Sequence, residues 1–195
     1  MNEAPPLPRS PLLMSPDDTA LVVVDVQEKL APLIHGGGRV IWNVGRLIDA
    51  AEVFQMPVMI TEQYPQGLGK TVGEIARRVA SAHEKLSFSC AECAGPLAEL
   101  SQRGINRLLL AGIETHVCVQ QSALDLLSSG FDVYLAVDAT GSQCAINAEV
   151  AVRRLDSSGV TITTTEAAIF EWCRVASAPQ FKQISRIVRE TFTPE

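Results

Sequence analysis

The chain has 195 residues, 47% hydrophobic and 19% charged, which excludes disorder for its bulk and allows one domain with a sizeable core. Sixteen Lys and Arg stand against 22 Asp and Glu, a net charge of −6. The cations are scattered, so no basic face points to nucleic acid or an anionic membrane surface. The longest apolar runs, at residues 21–24 and 108–111, fall far short of the ~20 residues a membrane span needs. The five cysteines, Cys90, Cys93, Cys118, Cys144 and Cys173, make an odd count, and the first residues show no charged-then-apolar leader. A reducing, cytoplasmic setting is expected.

Residues 1–16 carry Pro5, Pro6, Pro8, Pro11 and Pro16, which fix φ and remove backbone donors. They predict an extended arm outside the core, followed by one domain over residues 17–195. Short β-branched runs at residues 20–26, 57–61, 107–111, 132–137 and 160–164 predict strands. They are apolar nearly throughout, as strands buried on both faces are. Apolar periodicity predicts helices at about 40–54, 72–80, 96–103, 117–129, 148–158 and 181–189. Gly104, Gly130 and Gly159 stand where three of them need a C-terminal cap. The expected architecture is α/β: a doubly wound, mostly parallel sheet of about six strands with helices on both faces.

In such a sheet, ligands bind beyond the carboxyl ends of the strands. Asp25 stands there after the first strand, embedded behind apolar residues where a carboxylate is costly unless paired. Lys85, flanked by Leu86 and Phe88, is a candidate cation for it on a short strand between two helices. After the strand at 107–111 come Gly112, Ile113, Glu114, Thr115, His116, Val117 and Cys118, opening a helix. A cysteine in a first helical turn meets unpaired N–H groups and the positive end of the dipole, so its thiol is expected below the ordinary pKa of ~8.5. The bland alternative is a buried small hydrophobe. His116 is two residues from Cys118 on a helix and points elsewhere, so it reads as a pocket wall rather than a base.

Other motifs fail on inspection. Gly69, Lys70 and Thr71 look like the end of a phosphate-binding loop, but Tyr64 stands where that loop needs glycine. Gly36, Gly37 and Gly38 lack the third glycine of a dinucleotide fingerprint, since Ile41 occupies its place. Cys90 and Cys93 have zinc-like spacing but no second Cys or His pair, so they read as structural.

The runs Val22-Val23-Val24-Asp25-Val26-Gln27, Thr61-Glu62-Gln63-Tyr64-Pro65, Lys85 with Ser87 and Phe88, and Gly112 to Val119 together resemble the isochorismatase-like cysteine hydrolase family. The resemblance runs from about Thr19 to Ile169. It implies a catalytic triad of Asp25, Lys85 and Cys118, and a cis peptide at Ile113 and Glu114. The backbone N–H groups of Glu114 and Cys118 then form an oxyanion hole. Tyr64, Phe88 and His116 become candidate substrate-pocket residues.

Nicotinamidases of this family hold a metal through an aspartate and two histidines after the second strand, but residues 61–71 contain no histidine. Zinc and nicotinamide are therefore disfavoured, and neither metal nor other cofactor is expected. True isochorismatases cleave a vinyl ether without a cysteine nucleophile, so Cys118 favours an amide or carbamoyl C–N substrate. Residues 62–69 resemble the branch of putative hydrolases without established substrates. The family implies a homo-oligomer, a dimer or larger. Alternatives are a vinyl ether hydrolase, a catalytically silent scaffold of the same fold, and a redox protein pairing Cys118 with Cys90 or Cys93.

Overall fold

In the computed structural model, residues 8–193 are described; Pro5 and Pro6 of the expected arm lie outside them, in residues 1–7. Six strands, β1 (Thr19–Val24), β2 (Val58–Gln63), β3 (His83–Lys85), β4 (Arg107–Ile113), β5 (Asp132–Gly141) and β6 (Thr161–Thr163), form one sheet in the order β3-β2-β1-β4-β5-β6. Every neighbouring pair is parallel. This is the doubly wound arrangement, whose order reverses between β1 and β4 and opens a crevice at their carboxyl ends.

Among the described residues eight α-helices accompany the sheet: α1 (Gly37–Val53), α2 (Pro65–Leu68), α3 (Gly73–Ala76), α4 (Ala94–Gln102), α5 (Gln120–Ser128), α6 (Ala145–Ser157), α7 (Thr165–Cys173) and α8 (Phe181–Arg189). Side-chain alternation along β1 divides the core. Leu21 and Val23 face a cluster with α1, α7 and α8, whereas Ala20, Val22 and Val24 face one with α4, α5 and α6. Both faces of β1 are thus dry, which explains its unbroken apolar run. Gly104, Gly130 and Gly159 all adopt positive φ after their helices.

The differences from expectation have local causes. β1 stops at Val24 because Asp25 turns to φ 52°, in the left-handed region. The helix expected over 72–80 is one turn, since Arg78 N–H bonds Ile75 O and Val79 N–H bonds Ala76 O, closing into tighter i→i+3 turns. α7 is not among the expected helices although its buried residues Thr165, Ala168, Ile169, Trp172 and Cys173 recur at three and four, because Ala167 and Phe170 on the outer face blur the contrast; Thr164, whose side chain caps the Ala167 N–H, marks its start. β5 runs on to Gly141 through Asp138 and Thr140, which break the apolar pattern. The arm is not wholly outside the core, because Met14 is fully buried. Met14 N–H donates to Glu171 Oε2 at 2.8 Å, and the Pro11 and Leu12 carbonyls accept from Arg107 at 2.6 Å and Tyr134 at 2.9 Å. Residues 10–13 turn rather than extend, with Leu13 N–H bonded to Ser10 O at 3.2 Å, and the Pro11 and Leu12 carbonyls are left to bond the domain. Among the described residues no helix is long and apolar enough to cross a membrane.

Candidate active site

The crevice between β1 and β4 depends on Gly112. It pairs with Val24 at φ 119°, and an added Cβ would stand 2.1 Å from the Val24 carbonyl oxygen. Only glycine lets the strands meet this closely while turning the chain out of the sheet. The next peptide bond, Ile113 to Glu114, is cis. Beyond it Thr115–Val119 forms one wide turn, in which Val119 N–H bonds Glu114 O at 3.2 Å and Gln120 N–H reaches Thr115 O. The helix thus begins at Thr115 rather than at residue 117, with a π turn of the kind that concentrates at functional sites. Its buried stripe is Ser122, Ala123 and Leu126, while Leu124 and Leu127 are only partly covered.

Asp25 and Lys85 come from strands on either side of β2. Strand spacing puts them about 10 Å apart at the backbone, a gap the long lysine side chain crosses. Lys85 Nζ donates to Asp25 Oδ2 at 2.6 Å, Ser87 O at 3.0 Å and Phe88 O at 2.9 Å, so all three of its protons are used. Both side chains of the pair are completely buried. Thr61, on the intervening strand, donates its hydroxyl to Asp25 Oδ1 at 2.7 Å. Glu92 holds the following loop by accepting the Leu86 N–H at 3.1 Å and the Ser87 N–H at 2.5 Å.

Cys118 is 6% exposed, and its thiol sits close enough to Asp25, Lys85 and the Glu114 N–H for each to act on its ionisation. Burial, and then the Asp25 charge, push the thiol up from its ordinary 9.0 to about 12; Lys85 and the Glu114 N–H pull the other way and lose. The expected lowering at a helix start is therefore overturned, because lost hydration and an adjacent anion outweigh the backbone dipoles. At neutral pH Cys118 therefore rests as a thiol.

His116 is tied elsewhere: Nδ1 lies 3.0 Å from Ser142 Oγ and Nε2 lies 3.5 Å from Asn147 Nδ2. Tyr64 and Phe88, both about half exposed, join the site through Lys85. Tyr64 N–H bonds the Lys85 carbonyl at 2.8 Å, and the Phe88 carbonyl accepts from Lys85 Nζ.

The sequence reading missed Thr61, Gln27 and Glu62. Gln27 is fully buried, and Glu62 accepts from Thr71 N–H at 2.7 Å and Thr71 Oγ1 at 2.8 Å. Burial presses the Glu62 carboxyl upward, but Thr71 and Lys70 outweigh it and hold it below the ordinary value. A polar residue at a strand's carboxyl end was the available signal for all three. Lys70, in the discounted phosphate motif, instead pairs with Glu62 and Glu84. Cys90 and Cys93 flank a 3-10 turn against α5, where Cys90 N–H bonds Ser122 Oγ at 2.8 Å and burial pushes the Cys90 thiol up to about 11. Among the described residues no three His, Cys, Asp or Glu side chains gather as a metal-binding group.

The sequence model of the isochorismatase domain matches residues 19–167, from the start of β1 into α7. The mouse isochorismatase domain-containing protein 2B is 38% identical over 179 residues, covering 91% of this chain and 84% of that protein. Among solved structures, one titled MAR1 ribonuclease from Caenorhabditis elegans superposes with a TM-score of 0.87 at 34% identity, covering 93% of this chain and 95% of the other. The Escherichia coli YcaC gene product, titled an octameric hydrolase of unknown specificity, gives 0.79 at 25% identity, covering 87% and 86%. With a domain match spanning the sheet and its crevice, the chain belongs to the isochorismatase domain family of hydrolases.

Proposed function

We propose that this protein is a cysteine hydrolase that cleaves the C–N bond of a small amide or carbamoyl substrate, with Cys118 as nucleophile, Asp25 as base and Lys85 as its charge partner. The observation that carries this reading is a Cys118 thiol whose ionisation feels the buried Asp25 carboxylate, itself held on one oxygen by Lys85 and on the other by Thr61. A buried ion pair costs desolvation that apolar residues of the same size would not, so it is weak evidence for stability. Its position in the crevice, near enough to a thiol to shift its ionisation, fits chemistry instead.

Because the thiol rests protonated, attack and proton transfer go together. Asp25 takes the thiol proton as Sγ bonds the carbonyl carbon, and Lys85 and Thr61 keep the carboxylate oriented. Negative charge gathers on the substrate oxygen, where the Glu114 and Cys118 N–H groups serve as donors. The C–N bond breaks as the proton passes from Asp25 to the leaving nitrogen, leaving a thioester on Cys118. Asp25 then takes a proton from water as the water oxygen attacks, and the acid product leaves with the thiol restored. Tyr64, Phe88 and His116 line the approach.

A panel of primary amides and carbamoyl compounds, assayed for ammonia release, tests the reading. Release from one class by the native protein and none by Cys118→Ala supports it; equal release by both sinks the cysteine mechanism. The YcaC product's octamer and the exposed pair Ile146 and Val150, four residues apart on α6, support a homo-oligomer. Light scattering in solution checks that, and a monomer contradicts it.

A further inference from the structure

A buried carboxamide must find partners for two N–H donors and a carbonyl oxygen. Gln27, fully buried just beyond the Asp25 turn, finds them on one loop. Its Nε2 donates to Gln63 O at 3.0 Å and to Gly69 O at 2.7 Å, and its Oε1 accepts the Gln63 N–H at 2.8 Å. The double exchange with Gln63 repeats the pattern of a hydrogen-bonded antiparallel pair, with a side chain in place of a strand. The Gly69 bond fixes the loop's other end.

Tyr64 lies between these two anchors. Its backbone is left-handed, at φ 40°, and its ring lies over Gly67, where an added Cβ would stand 2.4 Å from Cε1. Gln27 also reaches the backbone of the acid, since its N–H donates to Asp25 O at 2.8 Å and closes a tight turn centred on Val26, directly after the left-handed Asp25 at φ 52°. No other side chain described here joins the Asp25 turn to both ends of the Tyr64 loop. Geometry makes the residue type specific: Asn is one methylene too short, and Glu has no N–H to offer two carbonyl oxygens.

We propose that Gln27 is a positioning residue, a side-chain clamp that ties the Asp25 turn to the 64–69 loop and so fixes Tyr64 as a wall of the substrate site. The clamp itself is independent of the reaction, whereas its effect on turnover rests on the hydrolase reading above.

Amide hydrogen exchange on the full chain, followed by mass spectrometry, tests it with Gln27→Met and Gln27→Glu. In Gln27→Met, which keeps side-chain length but loses three hydrogen bonds, exchange over residues 63–69 quickens about tenfold or more while β4 and β5 keep their rates. In Gln27→Glu the same peptide is loosened at neutral pH. It tightens again, relative to the native protein at the same pH, once acid protonates the introduced carboxylate and restores one donor. For the hydrolysed amide, KM rises about tenfold in Gln27→Met with kcat within about threefold, a split that a merely structural role does not produce. Unchanged exchange over 63–69, or quickening spread evenly over the sheet, overturns the clamp; loosening with KM unmoved overturns Tyr64 as a wall. If the native protein hydrolyses no amide, the hydrolase reading fails, and the exchange data alone still decide the clamp.

Discussion

Two ion pairs at opposite ends of the sheet, Asp25 with Lys85 and Asp18 with Arg107, are built oppositely. At the carboxyl ends, Asp25 and Lys85 are wholly buried and tied further by Thr61, Ser87 and Phe88. At the amino ends, Asp18 and Arg107 meet at the partly exposed border where the N-terminal arm crosses, and Arg107 also binds Pro11. The first pair spends stability to keep a charge beside a thiol; the second clasps a chain segment at small cost. Similar chemistry therefore has different uses according to how much water reaches it.

Breaking the buried end has the largest effects. Cys118→Ala lowers turnover by about 10⁴-fold or more with little loss of fold, measured by steady-state kinetics beside circular dichroism. Asp25→Asn also abolishes turnover and costs about 3–5 kcal/mol by leaving Lys85 without its partner, read by denaturant unfolding. It separates nucleophilicity from catalysis: without the Asp25 charge the Cys118 thiol pKa falls, so alkylation at pH 9 speeds up while hydrolysis is lost. Faster hydrolysis in that variant would mean that a thiolate, rather than base-assisted attack, limits the reaction.

Titration sharpens the comparison at intermediate size. Cys118 and Cys90 have folded-state pKa values raised to about 12 and about 11 from 9.0, so the folded chain holds protons that the unfolded chain gives up. Their contribution to stability is intact below about pH 9 and is lost as pH rises toward the folded values. The melting temperature accordingly declines above about pH 9, less steeply in Cys118→Ala, as calorimetry over a pH series can record. At the exposed end, Arg107→Met costs about 1 kcal/mol or less in ion pairing, frees the arm to faster proteolysis, and leaves turnover unchanged. A loss of activity there would tie the two ends together.

The sheet was legible because its central strands are buried on both faces and three of its helices end at glycines, so apolar runs and breakers mark most elements. α7 escaped because Ala167 and Phe170 on its outer face blur its apolar stripe, and the end of β5 because of its Asp138 and Thr140. The site was legible where chemistry-bearing residues follow strands, as Asp25 and Cys118 do. Thr61 and Gln27 stand where polar residues follow strands, but their roles lie in partners, Asp25 for Thr61 and the Gln63 backbone for Gln27, that only the folded sheet brings beside them. The thiol's pKa was misjudged because the dipole of the turn is visible in sequence, whereas burial against Asp25 is not.

The central claim is that Cys118 attacks as Asp25 takes its proton. Rapid-quench mass spectrometry of the native protein and Asp25→Asn, with the best substrate of the amide panel, tests this most directly. The account predicts an acyl adduct on Cys118 in the native protein and none in Asp25→Asn, even at pH 9 where that variant's thiol is more ionised. An adduct on another residue, or equal acylation of Cys118 in both proteins, would contradict it.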